Sequence, residues 1–562
     1  MNRKKKEKKQ RMKKCTKRFL CFALAVLSII GAAACGNGGG GAGKKGGHVD
    51  ELVIGTTKQI EGLSILDQSG SFGRLNYNSV VYANFFYPDN EGTMQPYFLE
   101  SYKISDDSKE LTMVFPTDKV WHDGVPVTVD DVVFTFEFMR DVYGQKALRN
   151  LSEIRVDADN QVTLVFSQPD AFYYVKNANL TYFVIPKHVW EKVDDYSTYT
   201  GEDAMIGCGP YKVVNVNKEA GVIQYEAVPE NDYLGEITVD KITLRSYSNQ
   251  DALLMALANG EIDVMYEYAN PIPYTLLDVI SGKDNIEPGM SDYTGCNQVT
   301  FGMNRDANQY HEFREAALKC FDWKLITQLI NGEYGEIPGS GILPRACAGF
   351  DGSLWMFYQD AEEAKRLLDN AGFKDTDGDG FRELPDGKPF TYRITSQLSP
   401  SRNDLYTRIG QLMADNLKAV GVNAYFDTEA LASEEVNDKM VADNEYDLFI
   451  GYTTSGVAAY RTCFWYFLNR EIVGSGAMNW GGSYNDPALN AAYVKLMNAK
   501  SNDEYLEAVK ELQHLASNDL FAFALCWEKC FFPYRTDKYE GFVNMDAVGV
   551  VHAETFYQLT NK

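Results

Sequence analysis

Asp375-Thr376-Asp377-Gly378-Asp379-Gly380 sets three carboxylates at alternate positions, with Phe381 following and Asp386 at the twelfth position. Alternating oxygen donors around a glycine turn suit a calcium ion, so Asp375, Asp377, Asp379 and Asp386 form a candidate structural calcium loop. Such loops normally close on a Glu that chelates with both oxygens; Asp386 is shorter, and no paired helix-loop-helix surrounds the segment. A plain solvated turn is the competing reading.

Trp121-His122-Asp123-Gly124 offers a His beside an Asp, but adjacent residues in an extended chain point to opposite faces and cooperate poorly. A structural turn is expected there. The six His include no His-x-x-x-His pair, and there is neither a Gly-x-Ser-x-Gly nor a phosphate-cradling loop. Zinc, serine-hydrolase and nucleotide chemistry therefore lack a motif, and no catalytic residue is assigned.

Cys35 stands at the end of a segment with its own logic. Arg3 to Arg18 is almost wholly basic, Phe19 to Ile30 is apolar, and Gly31-Ala32-Ala33-Ala34 supplies small side chains. That is a signal-peptide pattern, because the apolar run is shorter than the roughly 20 residues of a membrane span. The site resembles a bacterial lipobox, with Ala32 where Leu is usual. The resemblance implies cleavage before Cys35, lipidation of its sulfur and anchoring on the extracytoplasmic face of the cell membrane. Ordinary cleavage is the alternative. Gly36 to Gly47 then reads as a flexible tether.

Ten Cys occur, three of them at or before Cys35. The seven others cannot all pair, and Cys526-Trp527-Glu528-Lys529-Cys530 lacks the spacing of a redox or metal pair, so buried thiols are expected. Beyond Ala34 the chain carries 43 Lys and Arg against 77 Asp and Glu. Such an acidic body repels phosphate backbones, which argues against nucleic acid as a partner.

The elements that position these residues mix strands and helices throughout. Leu52 to Gly55, Lys109 to Phe115, Val162 to Phe166 and Gly221 to Ala227 read as strands. Thr128 is a helix cap backed by Asp130 and Asp131, and Asp251 to Ala258 is a helix closed by Asn259-Gly260. A second region opens with a strand over Asn297 to Asn304. It continues through helices at Glu312 to Phe321, Ala361 to Asn370 and Asp404 to Ala419, then strands at Val422 to Phe426 and Tyr446 to Gly451. A chain of 562 residues exceeds one core of about 250 to 300 residues, so two or three lobes are expected.

Read in order, several stretches resemble the ABC-transporter solute-binding proteins of family 5, the peptide and nickel binders. They are Pro96 to Tyr102, Trp121 to Gly124, Thr128 to Phe136, Gly209-Pro210-Tyr211, Asn231-Asp232-Tyr233, Asn259 to Asp263, Phe313 to Ala316 and Ala361 to Phe373. The resemblance implies an α/β, two-lobed periplasmic-binding-protein-like fold of the class II, cluster C type with an additional inserted subdomain. The expected division is a signal peptide over 1–34, a lipidated Cys and tether over 35–48, a discontinuous first lobe over 49–80, 204–296 and 526–562, an insert over 81–203, and a second lobe over 297–525.

It further implies a monomeric receptor that hands a small solute, expected to be an oligopeptide, to ABC permease subunits and needs no cofactor. Thr56, Thr57 and Gln59 after the first strand, Tyr452, Thr453 and Arg461 after the strand near Ile450, and Asn479 and Trp480 are the expected ligand contacts. In peptide-binding relatives the equivalent of Tyr452 is followed by an Asp that pairs with a peptide's α-ammonium. Here Gly451-Tyr452-Thr453-Thr454-Ser455-Gly456 lacks it, which leaves room for a sugar or a modified peptide. A surface-anchored cell-wall hydrolase with a carboxylate pair is the rival from another class.

Overall fold

A computed structural model describes residues 47–562, apart from 67–69, 90–92, 146–147, 177–182, 197–198, 268–269, 400 and 454–483, where Phe464 alone is described. Residues from Gly46 onward form one compact unit.

The first lobe rests on a seven-stranded sheet centred on Leu52–Thr56. This apolar strand pairs in parallel with Lys241–Ser246 on one side and Val264–Met265 on the other. Strands covered on both faces read as continuous apolar runs, which is how Leu52 to Gly55 reads in sequence. Antiparallel Val222–Ala227 and Tyr211–Asn217 extend one edge; Tyr534–Arg535 and Ile286–Glu287 extend the other. Gly55 allows the covering helix Gln250–Asn259 to approach, because a Cβ there would lie 2.5 Å from the side chains of Leu253 and Ile262.

The insert carries its own four-stranded antiparallel sheet, in the order Ser101–Ile104, Glu110–Val114, Gln161–Phe166, Leu151–Ala158. Its helix Val129–Asp141 starts at a capping box: the Thr128 N–H donates to the Asp131 carboxylate at 2.9 Å. The other Asp131 oxygen accepts from the Lys187 N–H, also at 2.9 Å. Phe85, Trp121, Phe136 and Trp190 of the insert join Leu52, Ile54, Tyr211 and Leu244 in one continuous core. The insert is thus a separate sheet but not a separate body.

The second lobe has a five-stranded sheet in the order Ala424–Phe426, Tyr392–Ser396, Leu448–Thr453, Cys296–Phe301, Ala522–Ala524. The first three run parallel, and Cys296–Phe301 is antiparallel to both its neighbours. Asn403–Ala419 and its neighbours cover one face. Pro487–Met497 and Asn502–Asp519 cover the other.

Two strands end differently from their sequence patterns. The strand expected to run to Asn304 stops at Phe301, because Gly302 turns away against the Tyr446 carbonyl and its own carbonyl accepts from Asn308 Nδ2 at 3.0 Å. The strand expected from Val422 begins at Ala424, since the Val422 N–H still closes the preceding helix on the Leu417 carbonyl at 3.0 Å.

The chain passes between the lobes twice, and the two passages pair: Met290–Asp292 runs antiparallel to Lys529–Phe531. Two paired crossing strands form a hinge. Among the described residues no helix is long and apolar enough to cross a membrane.

Candidate ligand-binding site

In open sheets with parallel strands, ligands bind outside the carboxyl ends of those strands. In the first lobe those ends are Thr56, Ser246 and Met265. Glu267, just past the last of them, is 2% exposed. Its Oε1 accepts from Thr56 Oγ1 at 3.1 Å and from the Thr57 N–H, and its Oε2 accepts from Thr57 Oγ1 at 2.7 Å. Burial raises its pKa, and the threonine bonds oppose that rise. Gln59 Nε2 ties this corner down by donating to the carbonyls of Thr57 at 3.1 Å and Tyr247 at 2.9 Å. The segment around Glu267 flanks the hinge, since the Met265 N–H donates to Pro533 and the Ile272 N–H to Phe531.

In the second lobe the corresponding ends are Ser396 and Thr453, beside the amino end of Cys296–Phe301. Asn297, 1% exposed, stands opposite Tyr452 in the ladder. Its Oδ1 accepts from Tyr406 OH at 2.9 Å and from Arg402 Nη1 at 3.3 Å. Its Nδ2 donates to Glu528 Oε1 at 2.7 Å. The Arg402 guanidinium lies 4.6 Å from the centre of the Tyr452 ring. Burial works against its charge, but Tyr406, Tyr293, Glu528 and Tyr452 together outweigh it and hold its pKa above the usual value. Burial raises the Glu528 pKa, opposed by Arg402 and the Asn297 bonds. Among the described residues the buried Tyr293 hydroxyl has no hydrogen-bond partner. A narrow pocket beside it is lined by Tyr293, Tyr334, Arg345, Trp527 and Glu528.

The expected contacts separate accordingly. Thr56, Thr57, Gln59 and Tyr452 sit at these strand ends. Thr453, fully buried, is a register pin: its hydroxyl accepts from the Cys296 N–H at 3.1 Å and donates to the Cys296 carbonyl at 3.4 Å. Arg461, Asn479, Trp480 and Cys35 lie outside the described residues. Glu267, Asn297, Arg402, Tyr406 and Glu528 escaped the sequence reading. Arg402 had one available signal, its position between a strand and the helix Asn403–Ala419.

In the Asp-rich loop, Asp375, Asp377 and Asp379 gather with Glu383, their ligand oxygens all within 4.8 Å of one another. Asp386 does not join them, since its carboxylate pairs with Lys388 Nζ at 2.6 Å. Glu383, the ninth residue of the loop, is buried, and its carboxylate anchors Thr376, accepting from the backbone N–H and from Oγ1, both at 2.7 Å.

His122 takes the structural role expected of it. Its Nε2–H donates to the Gly209 carbonyl at 3.0 Å, and Nδ1 accepts from the Gly207 N–H at 3.3 Å. Only a neutral ring serves both bonds, and burial brings its pKa down to about 4. Asp123 turns to His188 instead, 2.8 Å away. The six described cysteines, Cys208, Cys296, Cys320, Cys347, Cys526 and Cys530, are all buried.

Two α/β lobes on a paired hinge, with polar clusters at the strand ends of each, define a two-lobed solute-binding fold. The chain belongs to the bacterial extracellular solute-binding proteins, family 5, whose Middle profile matches residues 93–473. It is 24% identical over 525 residues to the "Probable peptide-binding protein YejA" of Agrobacterium fabrum, covering 80% of this chain and 81% of that one. The oligopeptide-binding protein AppA of Bacillus subtilis, solved with a nonapeptide, superposes with a TM-score of 0.69 at 18% identity, covering 92% of this chain and 100% of its own. The mannohexaose-bound oligopeptide-binding protein of Thermotoga maritima gives 0.66 at 20% identity, covering 91% and 99%.

Proposed function

We propose that this protein is the extracytoplasmic receptor of an ABC importer and captures an oligopeptide between its lobes. The observation that carries the reading is Arg402. It is a guanidinium held over Tyr452 at the strand ends of the second lobe, with one long bond to Asn297 and, among the described residues, no ion-pair partner. A planar cation with free donors suits a ligand carboxylate. The peptide-binding names of YejA and AppA point the same way. The ligand leaves unchanged: Glu267 and Glu528 are engaged in internal hydrogen bonds rather than poised as acid and base.

The receptor works as a monomer, with Cys35 lipidated after removal of residues 1–34 and the Gly-rich tether holding it to the extracytoplasmic face of the membrane. The Asp-rich loop is the place for a structural calcium ion. A sugar ligand is the second reading, favoured by the missing acid after Tyr452 and by the mannohexaose-bound relative.

Thermal melting of ligand-stripped protein against di- to octapeptides and oligosaccharides tests the ligand class. A ligand at one hundred times its dissociation constant adds about 2.7 kcal/mol, a clear rise in midpoint. Peptides should raise it. A rise with oligosaccharides alone would replace the peptide by a sugar.

A further inference from the structure

The lobes touch at a second place, away from the crossing strands. The short helix Ala171–Lys176 of the insert lies against the two helices that cover the second lobe. Phe172 and Tyr173 pack on the core containing Tyr493, Met497 and Tyr505. The Phe172 and Tyr505 rings meet edge to face at 6.1 Å. Lys176 Nζ donates to Asn502 Oδ1 at 2.9 Å and stands 5.9 Å from the centre of the Tyr505 ring. Arg149 Nη2 reaches Met497 Sδ at 3.1 Å.

Each side of this contact is rigidly part of its own lobe. The insert shares its core with the first lobe, so Ala171–Lys176 moves with that lobe. Pro487–Met497 and Asn502–Asp519 pack on Phe521, Ala522 and Ala524 of the second lobe's sheet. Rotation about the paired crossing strands must therefore pull Phe172 and Lys176 off Tyr505 and Asn502. None of these residues lies at the strand ends where the ligand contacts gather.

We infer that the insert carries a latch: Phe172 and Lys176 bind the Asn502–Asp519 helix and hold the lobes together independently of the ligand. The latch sets the balance between open and closed protein. A contact present only in the closed form shifts that balance by its own free energy, whatever occupies the cleft. The lowered pKa of Lys176, caused by burial, agrees with a lysine desolvated between two surfaces.

Small-angle X-ray scattering of the ligand-free mature protein tests this without any ligand. A compact body of this length has a radius of gyration of about 24 Å. Phe172→Ala and Lys176→Glu should each raise the measured radius above the wild-type value, while the thermal midpoint shows the protein still folded. Adding Asn502→Lys to Lys176→Glu restores an attractive pair and should return the radius to the wild-type value. A radius unchanged in both single variants, or one that Asn502→Lys fails to restore, would overturn the latch.

Discussion

Asn297 donates from Nδ2 to Glu528 at 2.7 Å while its Oδ1 accepts from Tyr406 and Arg402, so one amide joins the second lobe's sheet and helix to the residue just before the returning strand Lys529–Phe531. Asn297→Ala removes the side-chain donor to a carboxylate and the acceptor for two donors. It should cost about 2 to 3 kcal/mol of stability. Glu528→Gln keeps an acceptor facing Asn297 and should cost clearly less. Denaturant unfolding of both variants checks the order; equal losses would show that charge, rather than the bridge, holds the joint.

Arg402 is assigned to a ligand carboxylate. Replacing it with Met should weaken binding of a free-acid peptide about tenfold or more, since a charge-assisted bond contributes about 1.5 to 3 kcal/mol. The same peptide with an amidated C-terminus should bind the wild type weakly and lose nothing further in Arg402→Met. Calorimetric titration of the four combinations measures the coupling, and strictly additive losses would separate Arg402 from the carboxylate.

His122 should make the fold sensitive to acid. Its pKa falls from 6.5 to about 4 on burial, so the unfolded chain takes up a proton between these values and the folded chain does not. Stability from this group is present above pH 6.5 and is lost as pH falls toward 4, by at most about 3 kcal/mol. Glu267 and Glu528, whose pKa values burial raises, work in the opposite sense, so the comparison must be differential. Unfolding free energies of wild type and His122→Gln between pH 7 and 4 should converge as the pH drops. Parallel curves would contradict the assignment.

If calcium occupies the Asp-rich loop, millimolar calcium should raise the thermal midpoint of the wild type while leaving Asp377→Asn/Asp379→Asn unchanged. Magnesium, which demands a smaller octahedral site, should do less. An unchanged wild-type midpoint would reduce the loop to a hydrogen-bonded turn.

The lobes were readable in sequence because their strands and helices carry strong periodic patterns, as Leu52 to Gly55 and Asp404 to Ala419 show. The cap at Thr128 and the turn at Gly260 were also local signals, decided within a few residues. The strand ends themselves were readable, and Thr56, Thr57 and Tyr452 lie in or next to the ends of Leu52–Thr56 and Leu448–Thr453. Glu267, Asn297 and Glu528 meet their partners across long chain separations: Glu528 is 231 residues from Asn297, and no local pattern announces such a pair. Asp386 shows the limit of a local rule: it pairs with Lys388, while the buried Glu383, three residues earlier, is the acid that gathers with Asp375, Asp377 and Asp379.

The central claim is that the cleft retains a peptide and releases it unchanged. The most direct measurement incubates ligand-stripped mature protein with a defined pool of tri- to nonapeptides, removes unbound material by rapid gel filtration, and identifies by mass spectrometry what denaturation then releases. The account predicts intact peptides, at up to one molecule per protein, with amidated members depleted from the retained set. Recovery of cleaved fragments, or of no peptide from any length class, would contradict it.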